Sequence, residues 1–335
     1  MRELDAAGIT EPCLRASYVR ARELHAANGR TYFLATLLLP PWKRPHVNAL
    51  YGFARYADDL VDDLDARLSD SERAAALRAW AERFLTALRT GTPADDSQPP
   101  TGEVSVLPAT IHTIRRFALD PEHFASFLAS MAMDLTVTEY ATWQDLLGYM
   151  HGSAAVIGLQ MVPLLEPIDD SALPYARDLG LAFQLANFIR DVGEDLRRGR
   201  VYLPAESLDL FGVTRERLAA GVVDGPVRRL LAFEISRARE LFRCAEPGIR
   251  LLHPTSRDCV RTAFVLYRAI LDEVERADYQ VLDRRVSVAT RRRLAVAGPA
   301  LLRARQARRR DHATTDARAV SGGRAGAQRS SRPPR

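Results

Sequence analysis

Residues 50–64 read LYGFARYADDLVDDL, and their apolar positions Leu50, Phe53, Ala54, Ala57, Leu60, Val61 and Leu64 recur at steps of three and four. That spacing is the period of a helix with one apolar face. Similar spacing predicts helices over 71–88, 106–116, 121–135, 143–165, 171–196, 215–220, 227–245 and 255–282, with Ser71 as a candidate N-cap for the first of these. Alternating apolar and polar runs are nearly absent, so the fold class is all-α, a helical bundle. No GxGxxG, phosphate-binding P-loop or βαβ alternation is present, which disfavours a Rossmann-type nucleotide binder.

The acidic residues inside the quoted segment are unusual. On a helix Asp58 stacks over Asp62 and Asp59 over Asp63, so four carboxylates crowd two turns with only Arg55 nearby. Like charges at this spacing repel, and a hard divalent cation such as Mg²⁺, which takes carboxylate, water and phosphate oxygens, would relieve them. A second acidic stripe lies in 179–196, where Asn187, Asp191 and Asp195 follow at four-residue steps from within the apolar run LGLAFQLANFI. Gln184 and Gly180 continue toward that stripe. Each motif alone could be a solvated acidic face. Two of them on core-rich helices, facing each other across a bundle, would form a metal cage for a diphosphate, with arginines adding countercharge.

Composition bounds the rest. The chain has 335 residues, 47% of them apolar, enough for a substantial core. Its formal charge of +5 suggests nucleic acid or a membrane surface as partner, but eight arginines against two aspartates fall within 306–335. That surplus of six leaves residues 1–305 at −1. The expected organisation is therefore one all-α domain over 1–305 and a disordered arginine-rich tail over 306–335. The arginines come without zinc-finger spacing, stacking aromatics or a helix-turn-helix, so a nucleic-acid or scaffold role is disfavoured. Three separated cysteines and the absence of an apolar leader suggest the cytosol. Residues 146–165 carry no Asp, Glu, Lys or Arg, yet His151, Ser153, Gln160, Pro163 and three glycines favour a buried core helix over a membrane span.

The segments ALYGFARYADDLVDD (49–63) and LGLAFQLANFIRDVGEDLRRGRVYLP (179–204) resemble the squalene/phytoene synthase family of head-to-head prenyl transferases. Weaker similarity runs from residue 28 to 288, through LLLP (37–40), YMHGSAAVIGLQ (149–160) and YRAILDEVERADYQVLDRRV (267–286). The resemblance implies an isoprenoid-synthase bundle whose central cavity lies between the two Asp-rich helices. It implies Mg²⁺ or Mn²⁺ held by Asp58, Asp62, Asn187, Asp191 and Asp195. Diphosphate contacts would come from Tyr51, Arg55, Thr31, Gln184, Tyr267 and Arg285, and Tyr149 would assist proton removal or cation steering. Gly29-Arg30-Thr31-Tyr32 departs from the family's Ser-x-Ser-Phe and keeps one hydroxyl. His151 stands where relatives often carry Tyr, and packing is its plainer role.

The implied activity joins two geranylgeranyl diphosphates 1-1′ to phytoene through a cyclopropyl diphosphate, without NADPH. The alternatives are squalene or presqualene diphosphate synthesis from farnesyl diphosphate, and a non-catalytic family member. Lipid substrates suggest peripheral contact with the inner face of the membrane. Gly152, Ser153, Ala154, Ala155 and Gly158 would either line a lipid tunnel or allow close helix packing.

Overall fold

The computed structural model describes residues 2–62, 68–91 and 104–327. In chain order its helices are α1 (Arg2–Ala6), α2 (Pro12–Asn28), α3 (Arg30–Thr36), α4 (Arg44–Val61), α5 (Asp70–Thr90), α6 (Leu107–Phe117), α7 (Pro121–Met133) and α8 (Trp143–Met150). A π-helical turn, His151–Ala155, joins α8 to α9 (Val156–Leu164). Then follow α10 (Ala172–Arg197), α11 (Ala205–Phe211), α12 (Arg215–Ala219), α13 (Gly225–Ala245), α14 (Pro254–Arg276) and α15 (Thr290–Ala327). No strand occurs among the described residues beyond two isolated bridges, Glu139 with Val201 and Pro167 with Leu252.

Local chemistry sets the ends. Ser69, rather than Ser71, caps α5: its hydroxyl accepts from Glu72 N while the Glu72 carboxylate accepts from Ser69 N, a reciprocal capping box. Thr142 and Asp145 do the same for α8. The helix expected over 255–282 stops at Arg276, because Asp278 and Tyr279 turn to positive φ.

Two cores meet at a seam. In one, Phe53 of α4 is fully buried against Trp80, Phe84, Phe124 and Phe127 from α5 and α7. In the other, Leu185 and Ile189 of α10 pack with Leu230, Leu231 and Phe242 of α13 and Leu271 of α14. Phe183 and Val260 touch both cores. The helix bearing the first acidic motif thus belongs to one core and the helix bearing the second to the other.

Lys43, the only lysine in the chain, is fully buried beside α4. Its Nζ donates to Ser256 Oγ at 2.9 Å, ion-pairs with Glu166 and sits 5.1 Å from the Trp42 ring centroid.

The expected break after residue 305 falls inside α15, and the backbone expected to be disordered is helical as far as Ala327. Arginine and alanine are good helix formers, so few apolar anchors do not end a helix. Ala297, Ala300 and Ala304 also give α15 a buried edge, and Arg308 Nη1 donates to Leu39 O at 3.1 Å. Residues 328–335 lie outside the described part.

Candidate functional site

On α4, Tyr51, Arg55, Asp58 and Asp62 follow at steps of four, three and four, which puts them on one face. On α10, Gln184, Asn187, Asp191 and Asp195 follow at steps of three, four and four and likewise share one face. Both faces line a chamber of about 760 Å³, together with Thr31 at α3, Tyr149 of α8, Tyr267 of α14 and Arg285 beyond it. All twelve candidate residues are thereby brought together. Asp59 is exposed, paired with Arg55 outside the chamber lining, and Asp63 lies outside the described residues.

Excess negative charge in the chamber is matched by guanidinium groups. Arg55 Nη1 donates to Asp58 Oδ2 at 2.9 Å. Arg198 and Arg200 reach Asp62 at 2.8 and 3.3 Å and so tie the end of α4 to the segment after α10. Asp191 is held by Arg190 at 2.8 Å and by Arg285 at 2.9 Å. Even so, burial first and the neighbouring Asp62 second push Asp58 up to about 7. Burial and then Asp191 do the same to Asp195, also to about 7. Asn187 Oδ1 is buried with no hydrogen-bond partner. These groups await positive charge and a donor or cation, although among the described residues no three His, Cys, Asp or Glu side chains converge closely enough to hold a metal alone.

A second polar knot escaped the sequence reading. Asp134, just past α7, accepts from Tyr149 Oη at 2.8 Å and from Tyr202 Oη at 3.1 Å. Burial raises Asp134 to about 6 and raises the Tyr149 phenol far above its ordinary value. Arg200 Nη2 donates to the Asp134 carbonyl at 2.9 Å, and the Tyr202 ring stacks on Phe188 at 4.0 Å. Tyr202 and Arg200 lie in RGRVYLP, the end of the segment 179–204 that carries the family resemblance, with no role assigned to either residue from sequence. The available signal for Asp134 was a lone carboxylate closing the apolar run FASFLASMAM.

The chamber opens into an apolar cavity of about 320 Å³; Tyr32, Tyr51, Ala54, Ser153, Gln184 and Asn187 border both. At this junction Tyr267 stacks on Tyr32 at 4.6 Å and lies 4.4 Å from Phe183. Farther in, small residues such as Ala35, Thr36, Ala176, Gly248 and Ala263 alternate in the wall with larger apolar ones such as Leu50, Ile157, Met161 and Leu179. The small residues after α8 serve both purposes weighed for them: Ser153, Ala154 and Gly158 line the cavity. A Cβ on Gly152 would lie 2.0 Å from Ser130 Oγ, and one on Gly158 2.3 Å from Ala176 O. His151, the first residue of the π turn, is exposed and in neither cavity, so it is not the packing histidine expected. No helix among the described residues is long and apolar enough to cross a membrane.

A chamber of arginines and carboxylates leading into an apolar tunnel, inside an all-α bundle, defines a protein for molecules with a polyanionic head and a long hydrocarbon tail. The squalene/phytoene synthase family model matches residues 25–292. The chain is 37% identical over 313 residues to the phytoene synthase of Arthrospira platensis, covering 88% of this chain and 97% of that one. It is 37% identical over 303 residues to the 15-cis-phytoene synthase of Synechococcus elongatus, covering 87% and 94%. Among solved structures, a dehydrosqualene synthase in complex with ligand aligns with TM-score 0.76 at 26% identity, over 86% of this chain and 96% of that one. The squalene synthase of Alicyclobacillus acidocaldarius aligns with TM-score 0.70 at 28% identity, over 82% and 98%. The chain belongs to the squalene/phytoene synthase family.

Proposed function

We propose that this protein is a phytoene synthase, a prenyl transferase that joins two geranylgeranyl diphosphates head to head and releases both diphosphates. The observation that carries this reading is the 37% identity to phytoene synthases over nearly the whole chain, with all twelve candidate site residues lining one chamber. The solved squalene-type enzymes are more distant, at 26% and 28%.

In this reading the diphosphates lie among Arg55, Arg190, Arg200 and Arg285 and the hydroxyls of Thr31, Tyr51 and Tyr267, with the tails in the apolar cavity. Mg²⁺ or Mn²⁺ would be held by Asp58, Asp62, Asn187, Asp191 and Asp195. The unpartnered Asn187 Oδ1 and the raised Asp58 and Asp195 fit a cation that completes its shell with diphosphate oxygens. When bound, such an ion neutralises the leaving group.

The C1–O bond of one substrate breaks, its electron pair leaving with diphosphate, and the double bond of the other attacks the allylic cation. Loss of a proton closes the cyclopropane ring. The second diphosphate then departs, and rearrangement with a further proton loss yields the 1-1′ hydrocarbon. Arginines hold each departing anion, and the Tyr32, Phe183 and Tyr267 rings cluster at the junction, where aromatic π systems stabilise positive charge. Tyr149, bound to Asp134, holds a phenolic proton at the chamber wall, and the apolar lining keeps water from quenching the cations. Peripheral contact with a membrane belongs to the same reading, since substrates and product are lipids.

Incubation with Mg²⁺ and either geranylgeranyl or farnesyl diphosphate, without NADPH, followed by identification of the hydrocarbon, tests it. Phytoene is expected from the longer substrate. A squalene-type product, or no turnover of the longer substrate, overturns it.

A further inference from the structure

The inner side of α14 walls the lipid cavity through Cys259, Val260 and Ala263, and Tyr267 one turn on borders the chamber. Its outer side carries Arg261, Val265 and Arg268, all exposed. Antiparallel to it runs α15, locked in place by Arg303 Nε to Asp258 at 2.8 Å and by Arg292 to Asp272 and Glu273 at 2.9 and 3.0 Å. Those bridges consume the acidic groups between the two helices.

What remains outward on α15 is a stripe of Arg291, Ala295, Leu302 and Arg309, spaced by four, seven and seven residues, with Leu294 and Arg305 at its border. Leu294 and Leu302 are each 61% exposed and Val265 38%, so three large apolar side chains stand in water on the two helices that also expose these five arginines: Arg261, Arg268, Arg291, Arg305 and Arg309. Arg261, Arg268, Arg291, Arg305 and Arg309 have no acidic side chain within ion-pair distance among the described residues. An exposed basic face with apolar residues set into it matches the headgroup region of an anionic bilayer, where arginine meets phosphate and leucine enters the acyl boundary. A nucleic acid would use the arginines but leave the leucines in water.

We propose that the outer face of α14 and α15 docks on an anionic phospholipid bilayer, through Arg261, Arg268, Arg291, Arg305 and Arg309 with Leu294 and Leu302 inserted. The docked face then lies a single helix away from the cavity that holds the hydrocarbon. The proposal deepens the prenyl-transferase reading, and its test is made without substrate so that the two fail separately.

The full chain is sedimented with vesicles of phosphatidylcholine alone and with vesicles of equal parts phosphatidylcholine and phosphatidylglycerol, at low and high salt. Binding is expected only to the anionic vesicles and should weaken with salt. Each arginine near such a surface is worth a factor of roughly five, so R291E/R305E/R309E should lower the partition coefficient by about a hundredfold or more. Leu294→Ser with Leu302→Ser should weaken vesicle binding and leave any binding of duplex DNA untouched. Both variants should keep the wild-type circular dichroism melt and turnover in detergent. Three results overturn the proposal: equal binding to neutral vesicles, vesicle binding unchanged in the arginine variant, or capture of duplex DNA with no binding to vesicles. If the arginine variant melts early, R261E/R268E on the well-packed α14 gives the same reading, and its undiminished binding to anionic vesicles also overturns the proposal.

Discussion

Gly193 stands between Asp191 and Asp195 in the last turns of α10, still inside the helix, where a glycine weakens it. Its place is explained by the segment after α14, which crosses α10 there: Gly193 N donates to Val281 O at 3.3 Å. A Cβ at this position would lie 2.0 Å from Leu282 O and 2.5 Å from Leu282 C. Ordinary contact begins near 3.4 Å, so Gly193→Ala must drive two backbones apart by about 1.4 Å, and no side chain can yield instead. Overpacking of this kind costs about 1–3 kcal/mol. The displaced strand of chain also carries Arg285, whose Nε lies 2.9 Å from Asp191 Oδ1. A shift of about 1 Å in a positioning group costs on the order of a hundredfold in rate. Gly193→Ala should therefore lower Tm by several degrees, roughly 2–4 °C per kcal/mol or less for a chain of this size. It should also cut kcat/KM for geranylgeranyl diphosphate about a hundredfold. Gly148→Ala is the control, because nothing lies within 4 Å of its added Cβ; both quantities should hold or rise slightly. A Gly193→Ala enzyme with wild-type melting and wild-type kcat/KM refutes the reasoning.

Asp58→Ala and Asp191→Ala should each abolish metal-dependent diphosphate release, measured with a phosphate-coupled assay, and unchanged turnover in either removes that residue from the site. Tyr149→Phe should slow turnover at unchanged substrate affinity and move the pH–rate profile, because Asp134 loses a donor; a profile identical to wild type counts against a proton-holding role. Phe53→Ala, which empties a fully buried position among four aromatic rings, should cost about 3–5 kcal/mol in denaturant melts. Burial pushes His25 down to about 4 and His46 down to about 3, so both stay neutral in the fold while the unfolded chain protonates them near pH 6.5. The unfolded state then binds more protons below that pH, and stability falls by up to about 1.4 kcal/mol per pH unit per histidine on acidification toward pH 4. His46→Gln should flatten the fall in Tm between about pH 7 and pH 5, and an unchanged slope contradicts this.

The acidic motifs were legible because a helix turns residues three and four apart to one side, so sequence spacing alone put Asp58 with Asp62 and Asn187 with Asp191 and Asp195. Their meeting across the seam needed the resemblance, since nothing local in α4 specifies α10 as its neighbour. Asp134 and Tyr202 were hidden for the same reason: each is unremarkable in its own segment, and only the packing of α7, α8 and the post-α10 turn brings them to Tyr149. Helix ends set by side-chain capping could be misjudged by a residue or two, as at Ser69. The end of α14 was overestimated by six residues because apolar spacing continues through Leu282 while the backbone at Asp278 and Tyr279 does not. The arginine-rich end was read from composition, which reports the lack of a core and says little about helix propensity.

Lys43 has a practical consequence. Every other basic side chain is arginine or histidine, so the chain offers a single ε-amine, and that amine is sealed under Glu166, Ser256 and Trp42. An amine-selective acylating reagent cannot reach it until the joint between α4, the Glu166 turn and the start of α14 comes apart. The rate at which Lys43 becomes acylated, read by peptide mass spectrometry, is thus a built-in clock for the opening of this one joint.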